Sequence, residues 1–194
     1  MSRIKELETR LENTEQQLRL VQKISRLMAR EIQLAQSLDN IVALVVEFMQ
    51  CDSCLLYMLK DEELVLCAAN DPRPGTLGRV KLKLGEGLTG WVAKERRLLS
   101  VSREAYLDSR FKLFTDLPED TYDAFLSAPV LLRNRVVGVI NVQHRDPHFH
   151  SGGEMELLTT VGEQIGCLVA LAQSPESLRT SEVLDLVMSP VRRG

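Results

Sequence analysis

Apolar residues in the first 36 positions recur three and four apart: Ile4, Leu7, Leu11, Leu18, Val21, Met28, Ile32 and Ala35, with Thr14 and Ser25 filling two places in the series. That spacing is an a/d seam of nearly five heptads, flanked by charges of both signs such as Glu8, Glu12, Glu15, Arg19 and Lys23. The segment contains no Gly, Pro or aromatic residue and consists almost entirely of helix formers. A lone helix with so narrow a stripe is marginal in water. The pattern therefore predicts a parallel coiled-coil arm over residues 1–36 that joins two copies of the chain. A surface helix lying on its own domain is the plainer alternative.

Ser37 is placed to cap a second helix from Leu38 to Gln50, whose wide apolar face (Ile41, Val42, Leu44, Val45, Phe48, Met49) belongs in a core. Strand-like runs at Ser53 to Leu59 and Leu64 to Ala69 flank the charged turn Lys60-Asp61-Glu62-Glu63 and predict a hairpin. Asn70 to Gly75 is a loop, and Arg79 to Leu84 alternates strictly as a half-buried strand does. A short helix over Leu88 to Lys94 and a short strand over Leu98 to Val101 follow, and then a long polar and aromatic connection over 102–123. Ala128 to Leu132 and Val136 to Gln143 form a second hairpin around Arg133-Asn134-Arg135.

The last regular element, Ser151 to Ala172, is a helix with two apolar rows. Met155, Leu158, Gly162, Ile165, Val169 and Ala172 can cover a sheet, while Leu157, Val161, Leu168 and Leu171 require a further partner. Gly162, Gly166 and Ala170, four apart, let another backbone approach. Glycine costs about 1 kcal/mol against alanine inside a helix, so two of them imply a packing demand. Residues 174–194 read as a linker or tail with one helical turn near Val183 to Met188. The order predicts an α+β fold: an antiparallel sheet with helices on one face over residues 37–173, behind the coiled-coil helix of 1–36.

Composition narrows the function classes. The 194 residues are 44% hydrophobic and 26% charged, as in an ordinary globular chain, which excludes wholesale disorder. A net charge of −3 offers no basic excess for nucleic acid or an anionic membrane, so neither is an expected partner. The longest candidate apolar run, Ile41 to Met49, is far too short to span a bilayer and contains Glu47. Cys51, Cys54, Cys67 and Cys167 all sit in apolar runs, which points to the reducing cytoplasm and to shielded thiols.

Gly85, Gly87 and Gly90 spell G-x-G-x-x-G between a strand and a helix, with Asp108 beyond. Only about seven helical residues fit before the next strand, too few for a parallel crossover, so a dinucleotide site is not expected. Cys51-x-x-Cys54 has no second pair to complete a zinc site, and buried apolar cysteines are the better account. His144, His148 and His150 cluster near Asp146 and Glu154. Because loops seldom fix metal ligands, no metal and no other cofactor is expected. No catalytic triad, P-loop or carboxylate pair stands out, so no catalytic residue is assigned.

The strings Leu84-Gly85-Glu86-Gly87-Leu88-Thr89-Gly90-Trp91-Val92-Ala93, Ser127-Ala128-Pro129-Val130-Leu131-Leu132 and Val136-Val137-Gly138-Val139-Ile140-Asn141-Val142 resemble the GAF domain, in order and spacing over about residues 20–173. GAF domains are small-molecule sensor modules of bacterial signalling proteins and phosphodiesterases. The resemblance is nearest to the N-terminal GAF domain of the nitrogen-type phosphotransferase enzyme I, whose long loop is similar to the stretch from Ser109-Arg110-Phe111-Lys112 through Glu119 to Leu126. The phosphoenolpyruvate-using domains of that enzyme have no counterpart in this sequence. At the positions of the cyclic-nucleotide Asn-Lys-Phe-Asp-Glu signature stand His144, Arg145, Phe149, Gly153 and Glu154; two of five match, which counts against cyclic GMP. Bilin-binding GAF domains and free methionine sulfoxide reductases place functional cysteines in an interval that here, between Cys67 and Cys167, contains none.

The resemblance implies a non-catalytic sensor: a small molecule binds in a GAF pocket and alters the pairing of flanking helices. A cysteine-dependent reductase and a purely structural dimerisation module are the alternatives. The homodimer is expected to form through Ile4, Leu7, Leu11, Leu18, Val21 and the C-terminal helix, with a downstream effector protein as a further partner. The ligand's identity is not legible. The long connection should close the open face of the sheet, which nominates Trp91, Tyr106, Arg110, Phe111, Phe114, Tyr122 and Phe125 as ligand-binding residues. Arg103, Arg110 and Lys112 among them suggest an anionic or carboxylate-bearing ligand.

Overall fold

A computed structural model describes residues 2–29, 33–72, 74–111 and 122–173. Ile32, Phe114 and the tail 174–194 lie outside the described residues. Helix α1 spans Ser2–Met28 and α2 Leu34–Met49; strands β1 (Ser53–Lys60), β2 (Glu63–Ala69) and β3 (Lys81–Lys83) follow. Helix α3 (Gly87–Glu95), β4 (Leu99–Val101), a 3-10 turn (Ala105–Leu107), β5 (Ala124–Leu132), β6 (Arg135–His144) and α4 (Gly152–Gln173) complete the order.

The six strands form one antiparallel sheet in the order β3-β2-β1-β6-β5-β4. Both predicted hairpins are present. Their two-residue turns, Asp61-Glu62 and Arg133-Asn134, have positive φ at each residue, the backbone that matches the twist of paired strands. β5 begins four residues earlier than its apolar run suggests, because Phe125 to Ser127 pair with β4. Beyond Ser127 no strand among the described residues lies beside that edge, so Pro129 forfeits no ladder bond to one there. β3 is shorter than the alternating run, since Val80 N–H turns back to the Thr76 carbonyl at 3.0 Å.

Alternation along the strands builds two cores. Cys54, Leu56, Leu126, Ala128, Ile140 and Val142 face the long helices α1, α2 and α4. Tyr57, Leu66, Phe125 and Val139 face the other way, beneath Leu88 and Val92 of α3. The three long helices thus share one face, and the short α3 sits over the other. A bulge opposite Leu56 and Tyr57 leaves Cys67 without a cross-strand partner and exposed.

Two helical expectations change. α2 starts at Leu34 rather than behind Ser37, which is a buried residue inside the helix; Gln33 is the N-cap, and the earlier start places Leu34 against the core. The second row of α4 finds its partner within the chain: Leu157, Val161 and Leu168 are buried beside α1 and α2, and only Leu171 is exposed. α1 supplies that cover with Leu20 and Ile24, both fully buried, and is tied to α2 by Lys23, whose ammonium meets Glu47 at 3.2 Å and the Phe48 ring at 4.8 Å. Ile4, Leu7, Leu11 and Leu18 of the seam remain exposed, at 65%, 57%, 60% and 56%, while Val21 is half-buried against the domain's own core.

α4 starts on a capping box: Ser151 Oγ accepts from Glu154 N–H at 3.2 Å, and the Glu154 carboxylate accepts from Ser151 N–H at 2.8 Å. Among the described residues this helix, not Ile41 to Met49, is the one long and apolar enough by length and composition to cross a membrane. In this fold its apolar rows pack on β5 and under α1 and α2.

Candidate functional site

A cavity of about 220 Å³ lies on the α3 face of the sheet. Its floor is set by strand alternation: Leu55 and Tyr57 of β1 and Asn141 and Gln143 of β6 point into it, while Leu56, Ile140 and Val142 point to the helices. Gly87, Leu88 and Thr89 at the start of α3 form one wall. Asn70, Asp71, Pro72 and Thr76 of the β2–β3 connection form another, and Ala105, Phe111, Tyr122 and Phe125 a third.

The glycine string positions that α3 wall. Gly85 has φ +84°, where a side chain is strained, and a Cβ on Gly90 would lie 2.5 Å from the Lys83 carbonyl. Gly85 N–H donates to the Gly90 carbonyl at 2.8 Å, and Lys83 N–H donates to the Glu86 carboxylate at 2.8 Å. The glycines thus serve a tight strand-to-helix turn that seats α3 on the sheet.

Polar groups converge on the floor. Ser127 Oγ donates to Asn141 Oδ1 at 2.6 Å, and Asn141 Nδ2 donates to Thr89 Oγ1 at 2.8 Å. This fully buried chain ties β5, β6 and α3 together and holds Asn141 in a single orientation. Beside it Gln143 Oε1 is buried with no partner among the described residues. At the rim the Asp52 carboxylate accepts from Arg145 N–H at 2.8 Å, and Asn70 bridges the Asp52 carbonyl (3.1 Å) and Cys54 N–H (2.8 Å). Among the described residues the wall carries Asp52, Asp71 and Glu86 against one cation, Arg145. Burial raises the Tyr57 hydroxyl above its ordinary pKa, so Tyr57 stays neutral.

Of the residues nominated from sequence, Phe111, Tyr122 and Phe125 line the cavity. Phe114 is outside the described residues, and Trp91, Tyr106 and Arg110 are not part of the wall. Arg110 forks onto Asp108, with Nε to Oδ1 at 2.8 Å and Nη2 to Oδ2 at 2.6 Å, and its guanidinium lies 4.7 Å over the Trp91 ring. The hydrogen bonds between the two side chains hold the Asp108 carboxyl below its ordinary range and raise Arg110. Tyr106 is 40% exposed. The sequence reading missed Asn141, Gln143 and Thr89. The signal available was two polar residues, two apart, on one face of an otherwise apolar strand.

None of the four cysteines lines the cavity. Burial pushes Cys51 up to about 12 and raises Cys54 well above the ordinary thiol range. Cys67 and Cys167 are exposed, which revises the expectation of shielded thiols for these two. Ellman's reagent should therefore modify two thiols quickly in the native protein and the other two only on unfolding. A single fast thiol would place Cys167 under a partner; three or more would contradict the burial of Cys51 and Cys54.

The three histidines, unlike residues of an ordinary loop, are fixed. His144 ends β6, His148 N–H donates to the Ser102 carbonyl at 2.9 Å, and His150 is 2% exposed.

The sequence matches the GAF domain family over residues 33–169. Among solved structures, the chain is similar to the GAF domain of the Acinetobacter phosphoenolpyruvate-protein phosphotransferase, with 30% identity and a TM-score of 0.71 over 80% of this chain and 94% of that one. It is also similar to the GAF domain of the phosphoenolpyruvate-protein phosphotransferase of Coxiella burnetii, with 25% identity and a TM-score of 0.76 over 81% and 95%. The free methionine-R-sulfoxide reductase of Neisseria meningitidis, at 15% identity and a TM-score of 0.67 over 79% of this chain and 87% of that one, shares the fold. The Nif-specific regulatory protein of Azospirillum lipoferum is 24% identical over 178 residues, 88% of this chain and 28% of the relative. The chain thus spans less than a third of the length of that regulatory protein. The family match, the six-stranded antiparallel sheet and the walled cavity on its α3 face place the chain in one group: it belongs to the GAF domain family.

Proposed function

We propose that this chain is a non-catalytic regulatory sensor module that binds a small polar molecule in the β1/β2/β6–α3 cavity. The observation that carries this reading is the floor. A rigid Ser127–Asn141–Thr89 chain lies beside Gln143 Oε1, a buried acceptor with no partner among the described residues. An unmet buried acceptor costs about 1–3 kcal/mol, and a ligand N–H or O–H donor recovers it. Among the described residues, three acidic residues against one arginine in the wall favour a neutral or zwitterionic ligand with donors over the anionic one that Arg103, Arg110 and Lys112 suggested. A volume of about 220 Å³ suits a metabolite smaller than most drug-sized ligands.

A regulatory role agrees with the similarity to the Nif-specific regulatory protein, and it makes a downstream effector the natural partner. Transmission runs through the sheet, since Gln143 faces the cavity and its neighbour Val142 faces the long helices. The exposed seam of Ile4, Leu7, Leu11 and Leu18 pairs with a second copy and carries the change outward. The reductase alternative lacks support at the site, because no cysteine lines the cavity and burial raises both Cys51 and Cys54.

Native mass spectrometry of gently purified protein, followed by thermal-shift titration with neutral, zwitterionic and anionic metabolites, tests this directly. A donor-bearing ligand should bind one per chain, and Gln143→Leu should weaken it at least about tenfold, the equivalent of one lost hydrogen bond. Failure of every class to bind, or binding indifferent to Gln143→Leu, would overturn the assignment. So would thiol-dependent turnover of free methionine sulfoxide.

A further inference from the structure

We propose that His144, His148 and His150 form a binding site for one divalent transition cation of the Zn²⁺, Co²⁺ or Ni²⁺ class, with Glu154 as the neighbouring carboxylate. The site lies outside the cavity and does not depend on the sensor reading.

The geometry is that of a converging set. One ligand nitrogen from each ring lies within 4.8 Å of the others. Ring centroids are 4.0 Å apart for His144 and His148, 4.9 Å for His148 and His150, and 5.5 Å for His144 and His150. Nε2 of His144 and Nε2 of His150 are both buried with no partner among the described residues. Native proteins seldom leave such atoms unpaired, and two in one cluster are resolved together by a single cation. The other nitrogen of His150 is already engaged, Nδ1 meeting Ser100 Oγ at 3.1 Å. Ligating imidazoles are commonly oriented by such a contact at the second ring nitrogen, which frees Nε2 for the metal.

His148 and Glu154 supply the adjustable side. His148 is partly exposed and its Nε2 lies 2.8 Å from Glu154 Oε1, while Ser151 N–H and Oγ–H both donate to Oε2 of the same carboxylate, at 2.8 and 2.7 Å. Zinc–nitrogen bonds of about 2.0–2.1 Å in a tetrahedron bring ligand nitrogens to about 3.4 Å. The set must therefore close, which His148 achieves by turning out of its parallel stack on His144. Three imidazoles and one carboxylate suit borderline transition cations and suit Ca²⁺ or Mg²⁺ poorly.

The location gives such a cation leverage. His148 N–H holds the Ser102 carbonyl, just after β4, and the His144 carbonyl holds Asp123 N–H at 2.9 Å, just before β5. A bound ion would clamp both ends of the 102–123 connection that contributes Phe111 and Tyr122 to the cavity.

The test uses the full chain in a Cys67→Ser/Cys167→Ser background, which removes the exposed thiols as competing ligands. Zn²⁺, Co²⁺ and Ni²⁺ are titrated by calorimetry, retained zinc is counted by elemental analysis, and Co²⁺ is read by its visible ligand-field bands. One ion per chain should bind with a dissociation constant below about 10 μM, Co²⁺ should give the intense bands of a four-coordinate site, and the melting temperature should rise with added Zn²⁺. His148→Ala, at the partly exposed ring, should leave the metal-free protein folded and weaken binding at least about 100-fold. His150→Gln should act likewise, with circular dichroism checking its fold. Absence of binding by all three ions at 100-fold higher concentration, about 1 mM, or unchanged affinity in folded His148→Ala, would overturn the proposal.

Discussion

A chain carrying Leu11→Asp and Leu18→Asp should sediment as a monomer at concentrations where the parent is a dimer, with its cooperative unfolding retained. Both leucines are more than half exposed on α1 and make no part of the domain core. Burying a leucine fully is worth about 1.5–3 kcal/mol. A dimer would lose four such contacts and gain four carboxylates in its seam, so its dissociation constant should rise by at least about 1,000-fold, each 1.4 kcal/mol being tenfold. Ile24→Asp, four residues beyond Leu20 on the same helix, should behave in the opposite way. Ile24 is fully buried under α2 and α4, and an unpaired carboxylate there removes more than about 4 kcal/mol, enough to unfold a domain of ordinary stability. An unaltered dimer in the double Asp variant would refute the seam. A monomeric parent chain would refute the dimer itself and leave the exposed leucines and Ile4 of α1, up to Leu18, to another partner.

The contrast between Leu18 and Leu20 also marks the limit of the sequence pattern. Heptad spacing marks one stripe, and a second stripe, Leu20 and Ile24, lies one residue before Val21 and Ser25 among its flanking positions. α1 is therefore exposed along its first part and a core helix along its last. The strands were legible because alternation and polar turns are local signals: Lys60-Asp61-Glu62-Glu63 and Arg133-Asn134-Arg135 sit where the hairpins turn. Nothing local says which face of a sheet a helix takes, so α3 gave no sign that it lies opposite α4. Cys67 was misjudged for a definite reason. It is the extra residue of a bulge, and a bulge ejects a side chain that simple alternation would bury. In the site, aromatic residues of the long connection were found because apolar side chains must cover an open sheet face. Arg110 was placed among them on charge alone, yet Asp108 two residues before it and the Trp91 ring satisfy it locally. The floor was missed because Asn141 and Gln143 sit in a run that otherwise reads as core strand.

Gly166→Ala should destabilise the domain by about 3 kcal/mol although alanine is the better helix former, and the conflict of signs makes the measurement decisive. Propensity alone would stabilise α4 by about 1 kcal/mol. Against it stands the backbone of β5: a Cβ on Gly166 would run into the Leu131 carbonyl, and one on Gly162 would lie 2.7 Å from the Pro129 carbonyl. Those carbonyls have little room to yield, because β5 is held in register by β6 through Pro129 opposite Val139 and Leu131 opposite Val136. Relief must come from lifting α4 off the sheet, which opens the contacts of Leu158, Val161 and Ile165, all fully buried. Gly162→Ala should cost less than Gly166→Ala, because its approach is less close. Gly152→Ala, at the first residue of the same helix with nothing within 4 Å of the added carbon, is the control and should be neutral or stabilising by less than about 1 kcal/mol. Denaturant midpoints for the three variants, at a common m-value, separate the two effects. If Gly166→Ala matched Gly152→Ala in stability, α4 would not be seated on β5, and the proposed coupling of sheet to helices would lose its physical basis.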